Sequence, residues 1–394
     1  MKQKEKLWNK NFITACITYF FVAASFHVLV PTIPIYLSQV LNVPQSKIGI
    51  VLSSYVIALL FFRPFSGFLV DIYSRKSLLI IGLIFFCASF IGYYFAFTVL
   101  FFIIVRFIHG ISWGLASVAN NTVAIDIIPS TRRAEGIGYF GVTSNMAMAI
   151  APYLGVYIYD NFGFNILITS ALSLSALSII VGSFIKVPNK IIEQKNPTIS
   201  IDRFILVKAL PIFGNQLFLS FGWGTLAAYA VLYGKEIGIK NAGIFFVFMA
   251  IGIILSRVRS GKLVDYGYLH VIMMVSMTLI TLGFLSFSLF HSVYYYCGSA
   301  LIMGLGYGTL FPALQTIYNN MAPASKRGTA NSTYLTGFDL GIGIGMFFGA
   351  YLAEKYGYSK MYLFTAATAF ISLLIYWFNS RRVYEKNKIQ INTK

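Results

Sequence analysis

Acidic residues are scarce in this chain: twelve Asp and Glu stand against thirty Lys and Arg in 394 residues. Charged residues of both signs together make up 11%, where soluble domains carry about 25%. With 58% hydrophobic residues, that shortage excludes a fold whose whole surface faces water. Cysteine is equally rare. Cys16, Cys87 and Cys297 all fall in apolar runs, so they read as small hydrophobes and not as a disulfide framework. His27, His109, His270 and His291 are the four histidines, and with the three Cys they match no metal-ligand spacing. A Gly-x-x-x-x-Gly-Lys-Ser/Thr phosphate loop is missing, which excludes ATP as the direct energy source. No metal and no cofactor is therefore expected. The first apolar run continues as an ordinary span without a cleavage site, so no secretory signal peptide is expected.

Long apolar runs are what the chain has in plenty, with a mean hydropathy of +0.75. A helix crosses a bilayer with ~20 apolar residues. Leu78 to Ile125 holds 48 residues and a single formal charge, Arg106, which is too long for one crossing and right for two. The turn between them is predicted near Phe97 and Thr98. Read in this way, the spans centre on 12–37, 48–69, 77–96, 99–125, 136–159, 164–185, 208–233, 241–260, 271–290, 294–320, 328–353 and 360–379. The expected fold is an all-α polytopic membrane protein of 12 transmembrane helices in two pseudo-symmetric six-helix bundles. The expected organisation is an N-terminal bundle over 1–185, a cytoplasmic linker over 186–207, a C-terminal bundle over 208–380 and a tail over 381–394.

The formal net charge of +18 raises the possibility of nucleic acid as a partner, but its distribution excludes it. With both termini placed in the cytoplasm, 24 Lys and Arg fall on the inner side and five on the outer side: Lys47, Lys235, Lys240, Lys355 and Lys360. Such a bias orients a multi-pass protein of the cytoplasmic membrane.

Residues 49 to 163 also repeat at a constant offset of 194. Gly49, Arg63, Ser66, Gly67, Leu69, Val70 and Asp71 return as Gly243, Arg257, Ser260, Gly261, Leu263, Val264 and Asp265. Gly110, Gly114, Pro129, Arg133, Gly155 and Gly163 return as Gly304, Gly308, Pro323, Arg327, Gly349 and Gly357. An offset that never slips requires every helix and loop in between to match in length. Parallel duplication of a membrane-embedded half is an architecture of alternating-access transporters.

The second predicted span ends in Arg63-Pro64-Phe65-Ser66-Gly67-Phe68-Leu69-Val70-Asp71-Ile72-Tyr73-Ser74-Arg75-Lys76. This resembles the loop motif of the major facilitator superfamily, Gly-x-Leu-x-Asp-Arg-x-Gly-Arg-Arg. Gly67, Leu69, Asp71 and Arg75 match and Lys76 is a conservative replacement, whereas Ile72 and Ser74 depart from it. The second copy keeps Gly261, Leu263 and Asp265 and lacks the basic half. The resemblance implies an inner gate made by Arg63, Gly67, Asp71, Arg75, Lys76, Arg257, Gly261 and Asp265. In that reading Gly allows close helix packing, Asp sits at a helix N-terminus, and the basic residues tie the loop to the partner half.

Arg106-Phe107-Ile108-His109-Gly110 resembles the Arg-x-x-Gln-Gly motif of proton-coupled exporters of that superfamily, with His109 replacing Gln. An Arg inside the membrane costs ~2.5–3.5 kcal/mol or more on insertion scales, so it needs a partner or a watered cavity. Its repeat mate is Ala300, and that asymmetry argues for a functional role. In the fifth span, Pro152 and Gly155 match the antiporter motif Gly-x-x-x-Gly-Pro-x-x-Gly-Gly, while Ala149 and Ala151 keep its small character and Val156 replaces its last Gly. Gly110, Pro152 and Gly155 are read as helix-packing positions.

Eleven of the acidic residues fall at span ends or in loops, and Asp339 alone lies mid-span. A carboxylate within the membrane is a functional candidate by default. Its repeat mate is Asn145, so both are expected to face the cavity. Exporters of the family place an acid in the first span, and here His27 stands in its stead. The proton-coupling and cavity set is thus Asp339, Arg106, His27, His109 and Asn145, with His270 and His291 expected to be bland. Of the aromatics, Tyr19, Tyr55, Trp113, Tyr229 and Tyr307 are the expected cavity lining.

The resemblance spans essentially the whole chain, and its middle looks most like bacterial efflux permeases of the drug:proton antiporter type. It implies a secondary active exporter that works by alternating access and proton antiport, not an enzyme. Its partners would be a small-molecule substrate, protons and the lipid bilayer, with the chain a monomer. A proton symporter that imports a sugar or organic acid would use the same fold. A receptor without transport is the reading from outside the class, and the chain carries no added domain for signalling.

Overall fold

The computed structural model describes residues 6–129, 132–187, 206–265, 267–322 and 327–389. Among these there is no β-strand. The helices are α1 (Lys10–His27), α2 (Thr32–Gln39), α3 (Gln45–Ile72), α4 (Arg75–Gly92), α5 (Val99–Ile127), α6 (Arg133–Ser183), α7 (Leu210–Glu236), α8 (Ile244–Asp265), α9 (Leu269–Leu289), α10 (Val293–Asn320), α11 (Arg327–Tyr356), α12 (Tyr358–Ile375) and α13 (Arg381–Asn387). Ten helical stretches are long and apolar enough to cross a bilayer. One of them, Tyr139–Ser183, contains two crossings, and the apolar part of α8, Ile244–Arg257, adds a shorter one. This accounts for the twelve spans expected from sequence. Large apolar side chains such as Phe61 and Phe97 lie exposed along them, a surface suited to lipid.

The chain divides into two compact units, Met1–Val43 with Ile50–Asn196, and Pro44–Gly49 with Pro197–Lys394. In the first, α1 packs on α6 and α4 packs on α5 and α6. In the second, α7 packs on α11, and α9 packs on α10 and α12.

Local chemistry repeats with the offset. Thr98 caps α5 by accepting from the Phe101 amide at 3.3 Å, and Ser292 caps α10 by accepting from the Tyr295 amide at 3.5 Å. Each cap satisfies one of the donors that a helix start leaves open. The turn expected near Phe97 and Thr98 is therefore where the sequence placed it. The junction between the fifth and sixth crossings is Gly163, with φ of 81°, and its mate Gly357 has φ of 83°. Only glycine adopts this left-handed backbone without strain, so the same residue makes the same corner in both units.

The shared glycines also fix how closely helices approach. A Cβ on Gly110 would run into the carbonyl oxygen of Tyr55, and a Cβ on Gly304 into that of Met249, the repeat mate of Tyr55. Gly155 seats the α6 backbone against the Val28 carbonyl, where the first span breaks between α1 and α2. Pro152 lies inside α6 one turn earlier. A backbone carbonyl cannot swing aside as a side chain can. Gly155→Leu should therefore show the cost of overpacking, about 1–3 kcal/mol, as a fall in melting temperature of roughly 3–10 °C in detergent. Gly298→Ala, where a Cβ meets nothing within 4 Å, is the control. Equal melting curves for the two variants would refute the tight seat at Gly155.

Candidate functional sites in the two units

In the first unit α4 ends as α5 begins, and the turn between them brings Tyr93 against the first third of α5. Arg106 is 1% exposed and His109 is 0% exposed. The His109 Nδ1 shares a 2.9 Å hydrogen bond with the Tyr93 hydroxyl, and that hydroxyl also lies beside the Arg106 guanidinium. The guanidinium carbon sits 4.7 Å from the centre of the Tyr55 ring, a cation–π placement. Phe86 and Phe90 close on the His109 ring at 4.6 and 4.9 Å, and Phe26 stacks on both Tyr55 and Trp113. The Nε and Nη1 of Arg106 and the Nε2 of His109 are buried with no hydrogen-bond partner among the described residues. This is a preorganised cationic cluster that accommodates further acceptors. His27, the last residue of α1 and half-buried, meets Phe26 at 5.2 Å.

The gate motif is tied down within its own unit. Arg75 pairs with Asp126 near the end of α5. The Lys76 Nζ donates to the carbonyls of Gly182, Ser183 and Ile185 at 2.6, 2.8 and 2.8 Å, so it caps the C-terminal end of α6. These contacts of the two residues run to α5 and α6 of the first unit. A Cβ at Gly67 would meet nothing within 4 Å among the described residues. Arg63 is half-buried on α3. The side chains of Asp71, Asn145 and Asp265, and the surroundings of Gly261, lie outside the described residues.

The second unit has a different polar cluster, centred on Tyr334 in the second turn of α11. The Gln216 Nε2 donates to the Tyr334 carbonyl at 2.8 Å. The Tyr318 ring lies 5.9 Å from the Tyr334 ring. Arg257 and Asp339, both half-buried, lie close enough to Tyr334 to act electrostatically on its hydroxyl. A chain of ring contacts, edge-on from Trp223 to Tyr307 and from Phe311 to Phe338 and stacked from Tyr307 to Phe311 and from Phe338 to Tyr334, leads to it. Gln216, Tyr318 and Tyr334 were not singled out from the sequence. For Tyr318 and Tyr334 the signal was available in the repeat, because their mates are the apolar residues Ala124 and Phe140.

Two expected cavity aromatics are corrected by the structure. Tyr229 and Tyr307 are 0% and 1% exposed. Their hydroxyls donate to the carbonyls of Met346 at 2.5 Å and Leu219 at 2.9 Å, so they pin helices inside the second unit. Buried hydroxyls need partners, and here the backbone supplies them. Tyr55 and Trp113 belong to the first-unit cluster, and Tyr19 stacks on Phe140 at 4.6 Å. His270 is likewise not bland: its Nδ1 and Nε2 bridge the Tyr376 hydroxyl and the Glu385 carboxylate, each at 2.8 Å, and so hold α13 against α9.

The Major Facilitator Superfamily model matches residues 15–268 and, a second time, residues 212–393. An uncharacterised MFS-type transporter of Methanocaldococcus jannaschii is 24% identical over 95% of this chain and 99% of its own length. The staphylopine export protein of Staphylococcus aureus is 23% identical over 85% of this chain and 87% of its own length. The multidrug resistance protein MdtG of Dickeya zeae is 24% identical over 95% of both chains. Among solved structures, a mutant form of the nucleoside transporter NupG superposes with a TM-score of 0.81 at 15% identity, covering 93% of this chain and 99% of that one. At that identity the likeness speaks for the fold.

Proposed function

Because this chain belongs to the Major Facilitator Superfamily, a family of multi-pass membrane transporters, we propose that it exports a small molecule across the cytoplasmic membrane by proton antiport. The observation that carries the reading is the buried Arg106–His109–Tyr93 cluster. A guanidinium kept out of water at considerable cost, with no ion pair among the described residues, is suited to answer a change of charge elsewhere in the protein. Relatives named for export and drug resistance support the outward direction. Asp339 is the proposed proton carrier, with His27 as the second protonatable group, and the loops around Asp71 and Asp265 are the proposed inner gate. The chain acts as a monomer, without enzymatic activity.

The test is a substrate panel in proteoliposomes under an imposed pH gradient, with proton and substrate fluxes read together. Opposed fluxes support antiport. Parallel fluxes mean symport and uptake, and movement that ignores the gradient sinks proton coupling. Orientation is tested separately. With both termini cytoplasmic, single cysteines at Asn189 and Lys360 should react with impermeant reagents from opposite sides in cells. Reaction of both from outside would reverse the assignment.

A further inference from the structure

The Tyr334 cluster holds a set of polar atoms for which the fold has no use. The Gln216 Oε1, the Ser220 Oγ, the Tyr318 hydroxyl and the Arg257 Nε are all buried without a hydrogen-bond partner among the described residues. Gln216 and Ser220 are each 0% exposed, and so is Tyr318. Buried polar groups are nearly always paired, and an unpaired one costs more than a hydrogen bond returns. Three of them lie around Tyr334, with Ser220 four residues along α7 from Gln216 and packed on Gly341, and they call for an explanation outside the resting fold.

Their positions rule out a packing requirement. In the first unit the mates of Tyr318 and Tyr334 are Ala124 and Phe140, so these two positions of the same bundle can be apolar. The mate of Arg257 is Arg63, and that of Asp339 is Asn145. At the positions of Tyr318 and Tyr334 only the second unit is polar. Arg257 and Asp339 are half-buried, while Gln216, Ser220 and Tyr318 are closed off.

The chemistry of the set selects a ligand. The amide oxygen of Gln216 accepts, the guanidinium of Arg257 donates, and the hydroxyls of Ser220 and Tyr318 do both. An acid and a base flank the same ring. A lipophilic cation would gain from Asp339 but would meet the positive Arg257 and leave the donors unpaired. We propose that this cluster is a substrate-binding subsite for a polar head group that presents hydrogen-bond donors and acceptors side by side, as hydroxyl-rich and amide-bearing molecules do. The assignment rests on reading the chain as a transporter, and it names the substrate class of that reading.

The test uses the full-length protein in nanodiscs, with maltose, glycylglycine and tetraphenylphosphonium as probes. Binding is read from thermal shift and from fluorescence of Trp223, whose ring joins the chain leading to the site. At least one of the two polar probes should bind at about 10 mM or below, an affinity weak enough for a single subsite, and tetraphenylphosphonium should not. Tyr318→Phe and Gln216→Leu should each weaken the polar probe by about five- to thirtyfold, the worth of one buried hydrogen bond. The unliganded melting temperature of Tyr318→Phe should be unchanged or higher, because that hydroxyl has no partner among the described residues. A structural role would lower it instead. Failure of both polar probes, unaltered binding in both variants, or binding of tetraphenylphosphonium alone overturns the subsite. Proton coupling of the wild type is measured separately, so loss of antiport with the subsite intact rejects the proposed function and spares this inference, and the converse holds.

Discussion

Arg106→Ala is expected to lower substrate flux by about ten- to 150-fold in proteoliposomes, the worth of a hydrogen bond or two made to a charged group, while the protein folds and inserts normally. The second half of that statement is the discriminating one. Arg106 is 1% exposed, with two nitrogens unpaired among the described residues and its charge resting on the Tyr55 ring. Removing a buried and poorly compensated charge relieves desolvation, so the melting temperature of the alanine variant should hold or rise. Arg106→Lys keeps the charge, loses the flat ring stacking, and should retain part of the flux. A variant that melts earlier and transports in proportion to its folded fraction would make Arg106 a structural residue.

Asp339→Asn is expected to separate binding from coupling. Asparagine keeps the shape and accepts hydrogen bonds, but it cannot exchange a proton. The variant should bind substrate within severalfold of wild type and fail to accumulate it against a gradient, because proton entry no longer shifts the balance between the two conformations. Wherever wild-type binding varies with pH, that variation should disappear in the variant. The measurement is protons moved per substrate. A normal ratio in Asp339→Asn transfers the role to His27 or to a loop carboxylate and ends the central assignment.

Much of the scaffold was legible in the sequence because it depends on local rules. Gly163 and Gly357 stand where only glycine turns the backbone, and Thr98 and Ser292 stand where a helix start needs an acceptor. The offset of 194 carried both across the duplication. What stayed hidden depends on partners distant along the chain. Lys76 caps carbonyls 106 to 109 residues away, and no spacing rule links them. Tyr229 and Tyr307 were assigned to a cavity by position, but in an all-apolar helix every face is hydrophobic, so periodicity cannot separate the inside of a bundle from its edge. Tyr318 and Tyr334 were passed over for a different reason. Each is unremarkable alone and becomes conspicuous only beside its apolar mate.

The helix pairings described above stay within their own units. A growing chain meets them in order, and domains fold as units while the chain is synthesised. When α6 has entered the membrane, α1 and α4 already have their partners, and the Lys76 cap and the Asn11–Lys186 hydrogen bonds close the end from which the chain continues. The first half can therefore reach its packed form before the second leaves the ribosome. Biogenesis becomes two short assembly problems in place of one long one, and a lesion in the later half need not entangle the earlier.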